Sequence, residues 1–168
     1  MASNQILVLD KGREVTFSFE GMLIYHGGGS PGGVAHAFKV LERALPLLDI
    51  ANRVERRELI IETSFGGPGA RDAFELVTGA VTDGRFILDP TLARAEYGRA
   101  RERFVFRLHY CHRTVLLTLR EGFVSEQFID LTRQEGRTAG EERRLAAMKA
   151  DMAVLVMAAA AADVYDVA

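Results

Sequence analysis

Two histidines, a serine and an aspartate stand beside glycine clusters in this chain, and these are the residues whose types could do chemistry. The first cluster, YHGGGSPGGVAHAF from Tyr25 to Phe38, holds His26, Gly28, Gly29, Ser30, Gly32 and His36. The second, GGPGARDA, holds Gly69 and Asp72. A glycine loop that leads into a helix presents unpaired N–H groups and the positive end of the helix dipole, which suits a phosphate or carboxylate. An imidazole facing a carboxylate is oriented and made more basic, so a pair of His26 with Asp72 across a cleft would prepare His26 for a ligand. Neither cluster is a nucleotide fingerprint, because no Gly-Lys-Ser/Thr follows the first and the second lacks the third glycine of GxGxxG. Ser30 sits at a helix cap position, which explains it without a Ser-His-Asp arrangement, and no residue is assigned as catalytic.

Each of these residues also has a plainer reading. By helical angle His36 falls opposite the apolar stripe, alongside Gly32, Lys39 and Arg43, either on a solvated basic face or, with His26 and Ser30, along a cleft. Asp72 in the first turn of a helix is favoured by the dipole alone. Glycines at Gly32 and Gly33 cost up to about 1 kcal/mol each relative to alanine, a cost that close approach of a backbone or a ligand would justify. His109, Cys111 and His112 form another cluster, read as tight-turn or half-buried strand residues because alternation sends His112 to the other face.

The elements that must position them follow from periodicity. QILVLD and REVTFSF read as two short extended pieces joined at Lys11-Gly12, or as an irregular lead-in over 1–18. Val34, Ala37, Phe38, Leu41, Leu45 and Leu48 make a helical stripe, with Ser30 as N-cap and Pro31 at the first helical position. RRELIIETSF is a buried strand, and Ala70, Ala73, Phe74 and Val77 mark a second helix closed by Gly79. GRFILD, RERFVFRLHY and RTVLLTLRE are three strands, the last two a hairpin about Cys111-His112, most simply an antiparallel meander. Residues 122–168 turn helical, first at VSEQFIDLTRQ and then from about Ala139 to Asp163, with Leu145, Met148, Met152, Leu155 and Ala159 on one stripe. Segregated runs of this kind predict one α+β domain over 1–168: a helix-strand-helix-three-strand core with an antiparallel sheet, plus C-terminal helices.

Composition narrows the partners. With 168 residues and 48% hydrophobic content, the chain can bury a core of its own. Its formal charge of −2 gives no nucleic-acid footprint and no polybasic membrane anchor. One cysteine excludes an internal disulfide framework and fits a reducing compartment. No secretory pattern opens the chain, and the uncharged run between Asp151 and Asp163 is well short of the roughly 20 residues that span a bilayer. A cytoplasmic location is expected. The MAVLVMAAAAA run is apolar on more than one face, which predicts a homodimer through the C-terminal helix.

MLIYHGGGSPG, RDAFELVTGAVTDGRFIL, AEYGRARERFVFRL and the tail GRTAGEERRLAAMKADMAVLVMAAAAADVYDV together resemble the FmdE family, whose namesake is a component of formylmethanofuran dehydrogenase, from about Phe19 to Val167. The resemblance implies an α+β domain with an antiparallel sheet, like the catalytic domain of glyceraldehyde-3-phosphate dehydrogenase, and an association with one-carbon metabolism or a molybdenum or tungsten enzyme. Tyr25, His26, Gly27, Pro31 and Gly32 stand where that family has aromatic, His, Gly, Pro and Gly. Asp72-Ala73, Thr78-Gly79 and Tyr97-Gly98-Arg99 also match, with Arg in place of Lys. Gly28 and Ser30 replace the family's second histidine and its cysteine, and nothing near Gly69 replaces its later cysteine, so the soft ligands of a metal site are missing. Three functions remain open: a non-catalytic accessory or small-ligand-binding protein; a protein holding zinc or iron at a rearranged His26–His36 site, with zinc at most weakly bound; and an enzyme acting on a small anionic substrate.

Overall fold

The computed structural model describes residues 4–168. The chain begins with a hairpin of β1 (Gln5–Asp10) and β2 (Arg13–Ser18), which forms a two-stranded sheet of its own. Lys11 and Gly12 both take positive φ, the turn geometry whose twist matches a two-residue hairpin. Glu55 holds that turn, accepting from the N–H groups of Lys11 at 3.0 Å and Gly12 at 2.7 Å.

A short helix, α1 (Phe19–His26), follows where the sequence pattern assigns no element between the lead-in and the glycine loop. Its apolar residues form no stripe, so periodicity gives no signal, and it is set by its ends. The Ser18 hydroxyl accepts from the Gly21 N–H at 2.9 Å, and Gly27 closes the helix at φ 85. Next come α2 (Pro31–Leu48), β3 (Ile60–Thr63), α3 (Pro68–Thr78) and β4 (Phe86–Leu88), in the expected order. The predicted α2 stripe is buried in full, and Gly79 ends α3 in the left-handed conformation.

β5 (Val105–Tyr110) and β6 (Arg113–Leu119) form the expected hairpin, with Cys111 in its turn at φ 55. The three strands are not a meander, however. β4 pairs with β3, in parallel, across the α3 crossover, and the sheet order is β4-β3-β5-β6-β7, antiparallel elsewhere. The fifth strand, β7 (Tyr165–Val167), lies in the tail read as the end of a helix. The helical tail is α4 (Glu126–Arg133), α5 (Ala139–Ala158) and α6 (Ala161–Val164), so the long helix stops before Asp163 and the chain turns back onto β6. The whole is α+β. Helix α2 packs across the sheet, with α3 and α5 on its flanks.

The glycines of both clusters set how closely α2 and α3 approach. A Cβ on Gly69 would stand inside van der Waals contact of the Ser30 carbonyl oxygen and 3.0 Å from the Val34 nitrogen. One on Gly33 would stand 3.1 Å from the Ala70 nitrogen. Main chain meets main chain here, and neither side can yield as a side-chain tip would. Gly29 is different, since its Cβ would meet only the His26 ring, at an ordinary 3.9 Å. Replacing Gly69 with alanine should therefore destabilise the protein by about 2–3 kcal/mol in urea denaturation, whereas Gly29→Ala should change stability by no more than about 0.5 kcal/mol. Equal stabilities for the two variants would contradict the backbone contact.

Candidate functional site

The contact between the first turns of α2 and α3 forms one end of a cavity of about 440 Å³. Ser30, Gly32, Gly33 and Gly69 line that end, and His36 stands one turn further along α2. Side chains on a helix lean toward its N-terminus, so His36 stands over the turn that holds Gly32 and Gly33, which carry no side chains. Among the described residues the N–H groups of Gly32, Gly33 and Gly69 have no acceptor. The Ser30 side chain does not cap α2, contrary to the expectation from its position. Its backbone at φ −145, ψ 66 departs from the usual N-cap conformation, and the first turn keeps its free donors.

Phe65, Phe104, Phe128, Ile129 and Met152 make the apolar walls. Phe65 and Phe104 stack at 4.3 Å between ring centroids, and Phe104 in turn lies 4.8 Å from the His36 ring. Arg99, Arg103, Arg133 and Lys149 line the same cavity, and no carboxylate does. Arg99 is neutralised by Asp130 at 2.8 Å and Glu126 at 3.7 Å, and Arg133 lies 3.8 Å from Glu102. Lys149 bonds only the Gly29 carbonyl, at 3.2 Å, and Arg103 has no acidic partner among the described residues. Two cations are thus left for an anion.

His36 itself is fully buried, which overturns the solvated-face reading. The polar edge of α2 is covered by the C-terminal segment. His36 Nδ1 meets the Tyr165 hydroxyl at 2.8 Å, Arg43 Nε donates to the Tyr165 carbonyl at 3.4 Å, and Lys39, also fully buried, pairs with Glu42 at 2.7 Å. Burial pushes His36 down to about 3, because an imidazolium cannot be solvated there, and pushes the Tyr165 phenol well above its ordinary value. Nε2 of His36 is buried without a partner.

The cleft expected from the sequence is only partly assembled. Ser30, Gly32, His36 and Gly69 come together on the cavity, while Gly28 and Gly29 lie in an exposed turn and do not line it. His26 and Asp72 do form the anticipated pair, Nδ1 to Oδ2 at 2.8 Å, but the pair ties α1 to α3 outside the cavity walls. His26 Nε2, near Gly29, is also buried without a partner. His26 and His36 are each committed through Nδ1 to a different neighbour, and no three His, Cys, Asp or Glu side chains come together as a metal site among the described residues. His109 belongs to the sheet surface, bridging Glu62 at 2.6 Å and Thr114 at 2.8 Å. Hydrogen bonds from Arg107 first and His109 second hold the Glu62 carboxyl below its usual range.

The walls, the cations and Tyr165 carry no local sequence signal, because they come from five separate stretches that only the fold brings to α2. No family model and no curated protein matches the chain. No helix among the described residues is long and apolar enough to cross a membrane.

The burial of His36 has a consequence for stability. The unfolded chain takes up a proton near 6.5 and the folded one only near 3, so the unfolded state binds more protons between those values. Stability is then complete above 6.5 and falls as pH falls, by about 1.4 kcal/mol per pH unit from this one group. In urea denaturation at pH 7, 6 and 5, His36→Gln should lose less stability than the wild type over that range. Parallel losses would show that His36 is not held neutral by burial.

Proposed function

We propose that this protein binds a small organic anion with an apolar body, in the cavity between the first turns of α2 and α3. The observation that carries the reading is a cavity lined by four cations and no carboxylate, with aromatic walls and free helix N–H groups at one end. A flat or acyl body would remove Phe65, Phe104 and Phe128 from water, and its acidic group would answer Arg103 and Lys149 or the helix starts. His36 hydrogen-bonds neither Ser30 nor Thr132, the hydroxyls on the cavity wall, so no nucleophile is paired with a base and the reading is of binding rather than turnover. In keeping with the resemblance to the FmdE family, we place it as a non-catalytic accessory or ligand-carrying protein of the cytoplasm.

A suitable probe is 2-naphthoate, with naphthalene-2-methanol as its uncharged counterpart, titrated by calorimetry. The carboxylate should bind at least about tenfold more tightly than the alcohol, and the double change Arg103→Glu with Lys149→Glu should abolish that preference. Equal binding of the two probes would rule out an anion site here, and a preference that survives both charge reversals would remove Arg103 and Lys149 from it.

We also propose that the protein is a homodimer through α5. Val154 is 71% exposed and Leu155 49% exposed on the outer face of that helix, beside a shallow apolar groove formed with Phe123 and Met148. Light scattering should give twice the chain mass of 18.5 kDa, reduced to a single chain by Leu155→Glu. A single-chain mass for the unaltered protein would remove the proposal.

A further inference from the structure

We infer that Tyr165 sets what the deep wall of the cavity can recognise: its hydroxyl donates to Nδ1 of His36 and thereby leaves a proton on Nε2, so that the wall offers a neutral N–H donor to a ligand oxygen. This rests on the reading of the cavity as an anion site and adds the group that selects the ligand's inner end.

The available partners fix where the proton lies. The Tyr165 hydroxyl is completely buried, and its one polar partner is Nδ1, 2.8 Å away. If Nδ1 carried the proton and donated to the hydroxyl oxygen, the phenolic O–H would have no acceptor and Nε2 would be an orphaned lone pair. If the phenol donates instead, one group alone is left over, the Nε2–H. An unpaired buried donor costs about 1–3 kcal/mol, so the second arrangement is the one the fold holds. Burial keeps the ring uncharged, which makes it a donor without adding a cation to the apolar interior.

His36 lines the cavity, and its unpartnered Nε2–H is the one ring donor left for a ligand there. His36 lies on the same face of α2 as Gly32 and Gly33, whose N–H groups are also free, so three kinds of donor gather at one end: imidazole, backbone and the Ser30 hydroxyl. Oxygen acceptors suit all of them, as a carboxylate, a sulfonate or a carbonyl; an amine or amidine suits none. Nε2 is buried in the free protein. Met152 lies 2.7 Å, through its sulfur, from the position of a Cβ on Gly32 and lines the same cavity. Its unbranched side chain can shift to admit the oxygen.

Tyr165 is on this account a positioning residue, and two measurements test it. Long-range ¹H–¹⁵N spectra of the histidine side chains, recorded without any ligand, should show His36 protonated at Nε2 and bare at Nδ1. In Tyr165→Phe the same ring should change or mix its tautomers, with 2-naphthoate bound about tenfold more weakly. His36→Leu should weaken the probe at least as much, and His36→Gln, which keeps an N–H donor where Nε2 stood, should recover most of the loss. Urea denaturation of each variant separates loss of fold from loss of recognition. An Nδ1–H tautomer in the unaltered protein, or Tyr165→Phe folded and binding 2-naphthoate as well as before, overturns the inference while leaving the cavity an anion site. Failure of the unaltered protein to bind 2-naphthoate at all overturns the cavity reading and the recognition role together.

Discussion

Two helices can share a crossing with no side chain between them only where glycine stands on both, and the rest of this structure depends on one such crossing. At Gly33 and Gly69 the main chains of α2 and α3 touch directly, with the Ser30 carbonyl and the Ala70 nitrogen taking the space that a Cβ would occupy. The contact brings both helix starts to one point and leaves their first N–H groups without acceptors. It also stands beside the stacked Phe65 and Phe104, the second of which lies against His36 of α2. Gly32 repeats the device on the other side, where Met152 of α5 lies in the place of its side chain. The glycines thus set one end of the cavity, and α4 and the segment from Arg99 to Phe104 close the rest.

The C-terminal segment completes that arrangement. A helix with His36, Lys39 and Arg43 along one edge would ordinarily show that edge to water, and here it receives a strand and a short helix instead. The covering is chemically specific: a hydroxyl for the imidazole, a carbonyl for the guanidinium, and Glu42 on the same helix for the lysine. Without Glu42 the buried ammonium of Lys39 would carry a heavy desolvation cost. β7 then adds to β6 in antiparallel register, from Tyr165 opposite Leu119 to Val167 opposite Leu117, and the sheet gains its outer strand.

Much of this fold is legible in the residues alone, and the parts that are not share a physical cause. The α2 stripe, the α3 helix with its Gly79 stop, and the β5–β6 hairpin each rest on local periodicity or turn chemistry, and each forms as the sequence implies. Helix α1 escapes because eight residues of mixed polarity, set by Ser18 and Gly27 at its ends, have no period to detect. β4 is recognisable as a strand, but its parallel pairing with β3 depends on the crossover. β7 and the burial of His36 are one long-range event, the docking of Tyr165 on a helix more than a hundred residues earlier, and nothing near either residue announces it. The site divides in the same way. Its glycines, Ser30 and the His26–Asp72 pair are legible as a motif, whereas the aromatic walls and the unpaired cations belong to segments that only the tertiary fold assembles.

A binding surface built from main chain also constrains how such a protein can change over generations. Ordinary drift tunes a pocket by exchanging side chains, yet at Gly33 and Gly69 there are none to exchange and main chain leaves almost no room to add one. That end of the cavity is therefore inherited whole or lost with the fold. Novelty has to come from the opposite walls, where Phe128 and Ile129 of α4 and Met152 of α5 can be enlarged, trimmed or recharged with the helix crossing left intact. Descendants of this chain would then keep a common taste for oxygen at one end while diverging in the shape of what they hold at the other.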